Sequence, residues 1–424
     1  MSDEEKPKRG SSRAAGHSGS GADPASALEL SALPTDRLTS ADAYRGFVMF
    51  LMMAEVLRFS AVAKAFPESS FWKFLAFHQS HVEWTGCSLH DLIQPSFSFL
   101  VGLSLPFSIA SRQRRGQGFW HMFLHAELRA VVLVLLGVWL RSTHASQTHW
   151  TFEDTLSQIG LGYVFLFLLG FTSLWGQLTA FLVIIVGYWG AFAWYQLPGP
   201  DFDYAAVKVP ADWAEQHNFS GFMEHWNKNS NLAWKFDTWF LNLFPREKPW
   251  EANGGGYSTL SFIPTLGTMV LGLLAGGLGR LTVPGWKKLL FFATAGVACL
   301  GLGYGAEHFG ICPSVKRIWT PAWTLFSGGW CFLLLALFYA ILDLGKFRGW
   351  AFPLVVIGMN SIAAYCLAHG FDAYLSKNLQ THFGPNWARL LGEEYATLLH
   401  GGVILTLLWL ILFWMYRRKV FVRI

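Results

Sequence analysis

Charge is what this sequence has least of. Asp, Glu, Lys and Arg make up 14% of its 424 residues, while hydrophobic residues make up 53% and aromatics 17%. An ordinary soluble domain carries about a quarter of its residues as charges. The deficit excludes the two or three soluble domains that this length would otherwise allow. Cysteine is scarce as well. The five cysteines, Cys87, Cys299, Cys312, Cys331 and Cys366, form no CxxC pair, which leaves no thiol framework for redox work or zinc. Three of them lie in apolar runs as small hydrophobes; Cys87 and Cys312 fall in loops, where a pairing stays open. There is no HExxH motif, and His78 and His81, spaced i, i+3, are the nearest approach to a metal pair, so no metal is expected. The net charge of +5 is spread over loops and tails, which gives no reason to expect a nucleic-acid partner. The opening "MSDEEKPKRGSSRAAGHSGSGADPAS" has no apolar core, which excludes a signal peptide. Residues 1–36 are expected to form a disordered cytoplasmic tail.

What the chain does have is apolar runs of about 20 residues, each long enough to cross a hydrocarbon core of roughly 30 Å as a helix. They fall near 44–62, 91–111, 119–141, 156–174, 178–196, 258–279, 287–305, 321–343, 350–371 and 397–416. Period-2 alternation is missing, and in lipid a helix satisfies its own backbone polar groups where an open sheet cannot. The fold class is therefore all-α: a polytopic membrane helix bundle of about ten transmembrane helices, filling residues 37–424. The lipid bilayer is its solvent.

Orientation follows from Lys and Arg in the short connections. "SRQRRGQG", "GRLTVPGWKK", "DLGKFRG" and the terminal "YRRKVFVRI" fall on one side if the tail is cytoplasmic, and both termini are then cytoplasmic. The opposite side receives residues 62–90, the Arg-free "STHASQTHWTFEDT", residues 306–320 and the long segment 197–257. That segment is too polar to span and too aromatic to be linker, so it is read as an extracytoplasmic cap loop. No self-similarity relates the first five spans to the last five, which disfavours a repeat-built transporter.

The chemistry-bearing residues cluster on the same outer side. His78, His81, His90, His144 and His149 all fall there, although histidines also populate polar, aromatic-rich loops without function. Charges within spans are costly, about 2.5–3.5 kcal/mol at a helix centre, and are usually paired or useful. Glu55 and Arg58 sit near the outer end of the first span, and Glu127 and Arg129 within the third, where each pair can simply be mutual. Arg45 marks the inner boundary of the first span, a position that suits snorkelling to headgroups. Asp91 opens the second span, where a carboxylate complements the positive end of the helix dipole.

Read together, the stretch "HVEWTGCSLHDLIQPSFSFLVGLSL" carries His81, Trp84, Gly86, Asp91, Leu92, Pro95, Phe97, Phe99, Gly102 and Ser104 in the pattern HxxWxGxxxxDLxxPxFxFxxGxS. It resembles the membrane acetyltransferases typified by heparan-α-glucosaminide N-acetyltransferase and their bacterial relatives. Further matches keep chain order: "DAYRGFVMFLM", Arg129, "LSQIGLGYV" around Gln158, "TLGTMVLGLLAG", "KRIWTPAWTLFSGG" with Lys316, Trp319 and Thr320, and "GMNSIAAYC" with Asn360 and Ser361. The resemblance runs from about residue 37 to the C-terminus. It implies an acyltransferase that takes an acetyl group from cytosolic acetyl-CoA and delivers it to an extracytoplasmic sugar or glycan. A bacterial inner membrane is the expected location, and a homodimer is compatible with it.

In that family the histidine at the position of His81 is catalytic. A thioester is attacked by an amine or hydroxyl that is losing its proton, and an imidazole, with an unperturbed pKa of about 6.5, can accept it near neutral pH. His81 serves as general base, the preferred role, or as a nucleophile that briefly carries the acetyl group. Asp91 is suited to orient a histidine and stabilise its cation, although ten residues of loop do not by themselves bring the two together. The expected substrate contacts are Trp84, Asn360, Ser361, Lys316, Trp319 and Gln158, and those to the CoA donor are Arg129 and Arg45. Asn360 and Ser361 are equally suited to interhelical hydrogen bonds.

Two positions depart from the family: Glu55 or Val56 stands where an asparagine is usual, and Ile159 follows Gln158 where an arginine is usual. Within these residues no large soluble domain precedes the first span either. Two other functions therefore stay in view. A transporter or flippase would bind a small solute or glycolipid with the same polar set and no covalent step, and a scaffold would keep the fold without activity.

Overall fold

The computed structural model describes residues 38–143 and 145–422; the tail assigned to residues 1–36, and His144, lie outside them. Sixteen α-helices are present among the described residues: α1 (Thr39–Met53), α2 (Phe59–Ala65), α3 (Ser70–His78), α4 (Ile93–Arg114), α5 (Phe119–Ser142), α6 (Thr155–Leu169), α7 (Leu174–Trp194), α8 (Ala211–His217), α9 (Leu232–Phe240), α10 (Phe262–Arg280), α11 (Gly285–His308), α12 (Pro321–Tyr339), α13 (Phe352–Gly358), α14 (Ser361–Gly370), α15 (Asp372–Phe383) and α16 (Ala396–Arg417). The only β-pairing among them is a single antiparallel bridge between Thr85 and Val315. Several starts are written locally: the side chains of Ser69, Asp154, Ser173, Asn231 and Thr320 accept N–H bonds from the first turns of α3, α6, α7, α9 and α12. Such caps satisfy donors that a helix start leaves open.

Each of the ten expected apolar runs is helical, but not all are straight spans. Seven helices are long and apolar enough to cross a membrane, or nine if two bent pairs each count as one. The first run breaks after Leu57, where Arg58 takes a left-handed φ of 49°, and bends by 44°. The run at 350–371 breaks between α13 and α14 with a bend of 71°. The run at 156–174 yields α6, whose 15 residues reach about 22 Å at 1.5 Å per residue, short of the hydrocarbon core. Apolar composition cannot show these breaks, because both halves of a broken span face the same solvent.

The centre of the bundle is α4 against α10, with α1, α6 and α12 around them. Outer helices turn large side chains outward, including Leu128, Trp139, Val186, Leu302 and Trp414, as lipid contact permits. Glycines set the central approach. A Cβ on Gly272 would collide with the Phe99 carbonyl, and one on Gly102 with that of Met269. Without a hydrophobic drive between helices in lipid, such close backbone packing supplies the association energy. Gly272→Ala is expected to force α4 and α10 apart and cost about 1–3 kcal/mol. The check is a lower thermal midpoint of the purified protein in detergent; an unchanged midpoint would refute the close-packing account.

At one end of the bundle four connections meet: residues 79–89, 145–154, 195–258 and 309–320. Gln158 Nε2 donates to the carbonyls of Phe152, Ser258 and Thr259, at 2.9, 3.2 and 3.3 Å. Arg246 donates to the carbonyls of Leu241 and Trp150. The long segment is thus a folded cap, with α8 and α9 inside it and buried Trp226, Val209 and Asp237.

Candidate active site

Two of those connections build the site. α3 ends at His78, the chain crosses residues 79–89, and a 3-10 turn at His90–Leu92 leads into α4. Ser88 and Asp91 hold that turn reciprocally: the Ser88 N–H donates to Asp91 Oδ2 at 3.1 Å and the Asp91 N–H donates to Ser88 Oγ at 3.2 Å. This is the capping-box exchange, and it aims a carboxylate back over the loop. Ser88 Oγ and the Val82 N–H add a second and a third donor to Asp91 Oδ2, at 3.0 and 3.3 Å.

The facing connection supplies Lys316. Thr85 pairs with Val315, and Arg317 donates to the carbonyls of Val82 and Gly255, at 3.1 and 2.7 Å, so both loops and the cap share one guanidinium. Beneath them lies Trp84, 1% exposed and edge-on to Trp213 of the cap. Gly256 reaches a φ of 79° beside it, where a Cβ would fall 2.8 Å from the indole; only glycine fits both the angle and the space.

Within this frame His81 Nδ1 lies 2.8 Å from Asp91 Oδ1, and Lys316 Nζ lies 3.0 Å from His81 Nδ1 and 3.1 Å from Asp91 Oδ1. The Asp91 side chain is fully buried, that of Lys316 nearly so, and His81 keeps 40% of its side chain exposed. The hydrogen-bond roles follow from charge. Asp91 is an acceptor: in the tautomer with the proton on Nδ1 it accepts from His81 and from the Lys316 ammonium, two donors that converge on Oδ1 and lie 3.0 Å from each other. The imidazole therefore presents Nε2, unprotonated, on its exposed side. Partial burial, then the Lys316 ammonium and His90, hold the His81 imidazole below its ordinary pKa against the pull of Asp91. Burial likewise lowers Lys316, opposed by Asp91. A neutral imidazole with a free Nε2 at neutral pH can take a proton.

The other expected site residues divide by position. Trp319 is buried at the edge of the same loop, with φ 48° and its indole N–H on Thr268 Oγ1 at 3.1 Å. Trp84 and Gln158 are packed into the cap seam. Arg129 lies over the Tyr163 ring, 4.6 Å from its centroid, and donates to its hydroxyl at 3.2 Å. Arg45 donates to Ser104 Oγ at 2.6 Å and pairs with Asp42 at 3.2 Å. Asn360 is not brought to His81: its amide donates to the Val420 carbonyl and accepts from the Val422 N–H, at 2.8 and 2.9 Å, tying the α13–α14 break to the segment after α16. Ser361 opens α14 at that same break. Cys87 and Cys312 do not pair, and burial pushes both thiols up to about 12.

Two contributors escape a reading of residue types alone, Ser88 and Arg317, and so does the contact between Glu55 and His90. The S-x-x-D spacing of Ser88 and Asp91 was the available signal for the first. Lys316 has a different part from the one its type suggests, since its charge faces Asp91 and His81.

No family model matches the chain. It is similar to heparan-alpha-glucosaminide N-acetyltransferase of Homo sapiens, 24% identical over 434 residues that cover 93% of this chain and 61% of the relative. The protein of that name from Mus musculus is 22% identical over 431 residues, with 92% and 61% coverage. The chain thus spans about three fifths of the length of the curated relatives it matches, and resembles them along nearly all of its own.

Proposed function

We propose that this protein is a transmembrane acetyltransferase in which His81 is the general base. It moves an acetyl group from cytosolic acetyl-CoA to an extracytoplasmic sugar or glycan. The observation that carries this reading is the His81–Asp91–Lys316 cluster, with Nδ1 held 2.8 Å from Asp91 and 40% of the His81 side chain exposed; the names of the similar proteins support the group transferred. His81 Nε2 takes the proton of an acceptor hydroxyl or amine as its lone pair attacks the thioester carbonyl carbon. The C–S bond then breaks, and the departing thiolate either recovers that proton from Nε2 or takes one from solvent and leaves His81 protonated. Asp91 keeps the proton on Nδ1 and balances the transient cation. Lys316 holds Asp91 ionised and discourages resting protonation of His81. Basic connections at the opposite end of the bundle favour a cytosolic donor, and Arg45 and Arg129 remain the proposed contacts to CoA.

The experiment is transfer of label from acetyl-CoA to envelope glycans by the purified protein in vesicles. Only neutral His81 is active, so activity rises with pH through the imidazole pKa, and its acid limb lies below the ordinary value of about 6.5. Lys316→Gln removes a charge that lowers His81 and is expected to move that limb to higher pH. A limb that stays put, or moves down, would separate His81 from the reaction. Turnover of acetyl-CoA by no preparation, with solute flux across the vesicle instead, would favour a transporter.

A further inference from the structure

Beside the catalytic cluster stands a second acid–base pair that the chemistry above leaves unused. His90, the residue before Asp91, turns to the other face of the 3-10 turn. Its ring centroid lies 4.5 Å from that of His81, with the planes tilted by 51°, and its Nε2 lies 3.3 Å from Glu55 Oε1. The His90 side chain is 9% exposed, while Glu55 keeps 54% of its side chain in the open. A buried imidazole is thus held between the His81 ring and a carboxylate that reaches solvent. His81 and Glu55 are the titratable groups against His90; Asp91 and Lys316 stand beyond His81, and His369 of α14 is within electrostatic reach of Glu55. Burying an imidazole is costly without a partner, and among the described residues no backbone group bonds the His90 ring to explain it.

We propose that His90 and Glu55 form the proton exit of this site: His90 takes a proton from His81 through one bridging water, and Glu55 hands it to solvent. This rests on the general-base reading of His81. A turnover leaves His81 protonated whenever the thiolate departs without recovering its proton, or whenever the acceptor enters as an ammonium. Protonated His81 cannot accept again. Its Nδ1 proton is held by Asp91 with the Lys316 cation behind it, so Nε2 is the side that can discharge. The step moves one proton from His81 to His90, then from His90 to the Glu55 carboxylate, then to a solvent base. Only N–H and O–H bonds form and break: His90 takes the proton at Nδ1 and releases the one on Nε2 to Glu55, and an exchange of its tautomer through water restores the starting state.

The test compares His90→Ala, His90→Gln, Glu55→Gln and His81→Gln in vesicles supplied with labelled acetyl-CoA and envelope glycan, with and without added imidazole. Steady-state turnover of His90→Ala is expected to fall by about 10²-fold, within the range a positioned acid–base group supplies, while its first turnover keeps the wild-type rate. Imidazole, entering the space left by His90, restores it; His90→Gln, with no such space, stays slow. Glu55→Gln is expected to slow the steady state and flatten when buffer concentration is raised. Wild-type turnover by His90→Ala overturns the exit, as does loss of its first turnover without rescue, which marks a structural role. His81→Gln reports separately: if it retains transfer, the general-base reading itself fails.

Discussion

His81→Ala is expected to lower kcat for acetyl transfer by about 10²–10⁴-fold, the contribution of a positioned general base, with the protein still folded. The fold should tolerate the change because the side chain is 40% exposed and Asp91 keeps Lys316, Ser88 and the Val82 N–H as donors. The readouts are label transfer in vesicles and the thermal midpoint in detergent. His81→Gln guards against a loop rearrangement caused by the vacated space. Transfer within tenfold of wild type in both variants would remove His81 from the mechanism. A stable label on wild-type protein in the absence of acceptor would instead mark the imidazole as the acetyl carrier.

Asp91→Asn has two separable consequences. An amide can donate to Nδ1 and pin the wrong tautomer, and it no longer balances the imidazolium, so activity is expected to fall by about 10³–10⁴-fold, as when a triad carboxylate is neutralised. Lys316 also loses the anion 3.1 Å from its ammonium. An unpaired charge in a buried site costs about 3–5 kcal/mol, so the thermal midpoint should drop as well. The double variant Asp91→Asn with Lys316→Met removes both charges. It should regain most of the stability and none of the activity, a coupling that a double-mutant cycle measures directly. Recovery of activity together with stability would show that Asp91 matters only as a counter-ion.

The arrangement separates two jobs that one histidine cannot do alone. On the proposed mechanism Asp91 and Lys316 set the charge and tautomer of His81, which is left to act on the acceptor and to discharge through the His90–Glu55 pair. Glu55 or Val56 stands where the acetyltransferases this chain resembles usually have asparagine, and Glu55 has a partner in His90. Ile159, the other departure, is 1% exposed within the core, and the Gln158 amide beside it is spent on backbone carbonyls of the cap seam. An arginine at position 159 would have to find a counter-charge where this chain packs hydrocarbon.

Composition alone determined that this chain is an all-α membrane bundle, because lipid penalises charge and unpaired backbone so steeply that few other folds are open. The ten apolar runs were legible for the same reason: burial in lipid leaves a one-dimensional trace. His81 and Asp91 stood out through the family resemblance instead, and ten residues of loop did not bring them together. The breaks at Arg58 and Asn360, the short α6 and the partners of each polar side chain left none. Asn360 shows why, since an amide suited to substrate or to an interhelical bond reads the same until the segment after α16 comes to lie against it. Lys316 stands 225 positions from Asp91, and only the docking of two loops under Arg317 decides that its charge answers a buried carboxylate. Hydrogen bonds act over about 3 Å, so the chemistry of the site waited on contacts that no local pattern encodes.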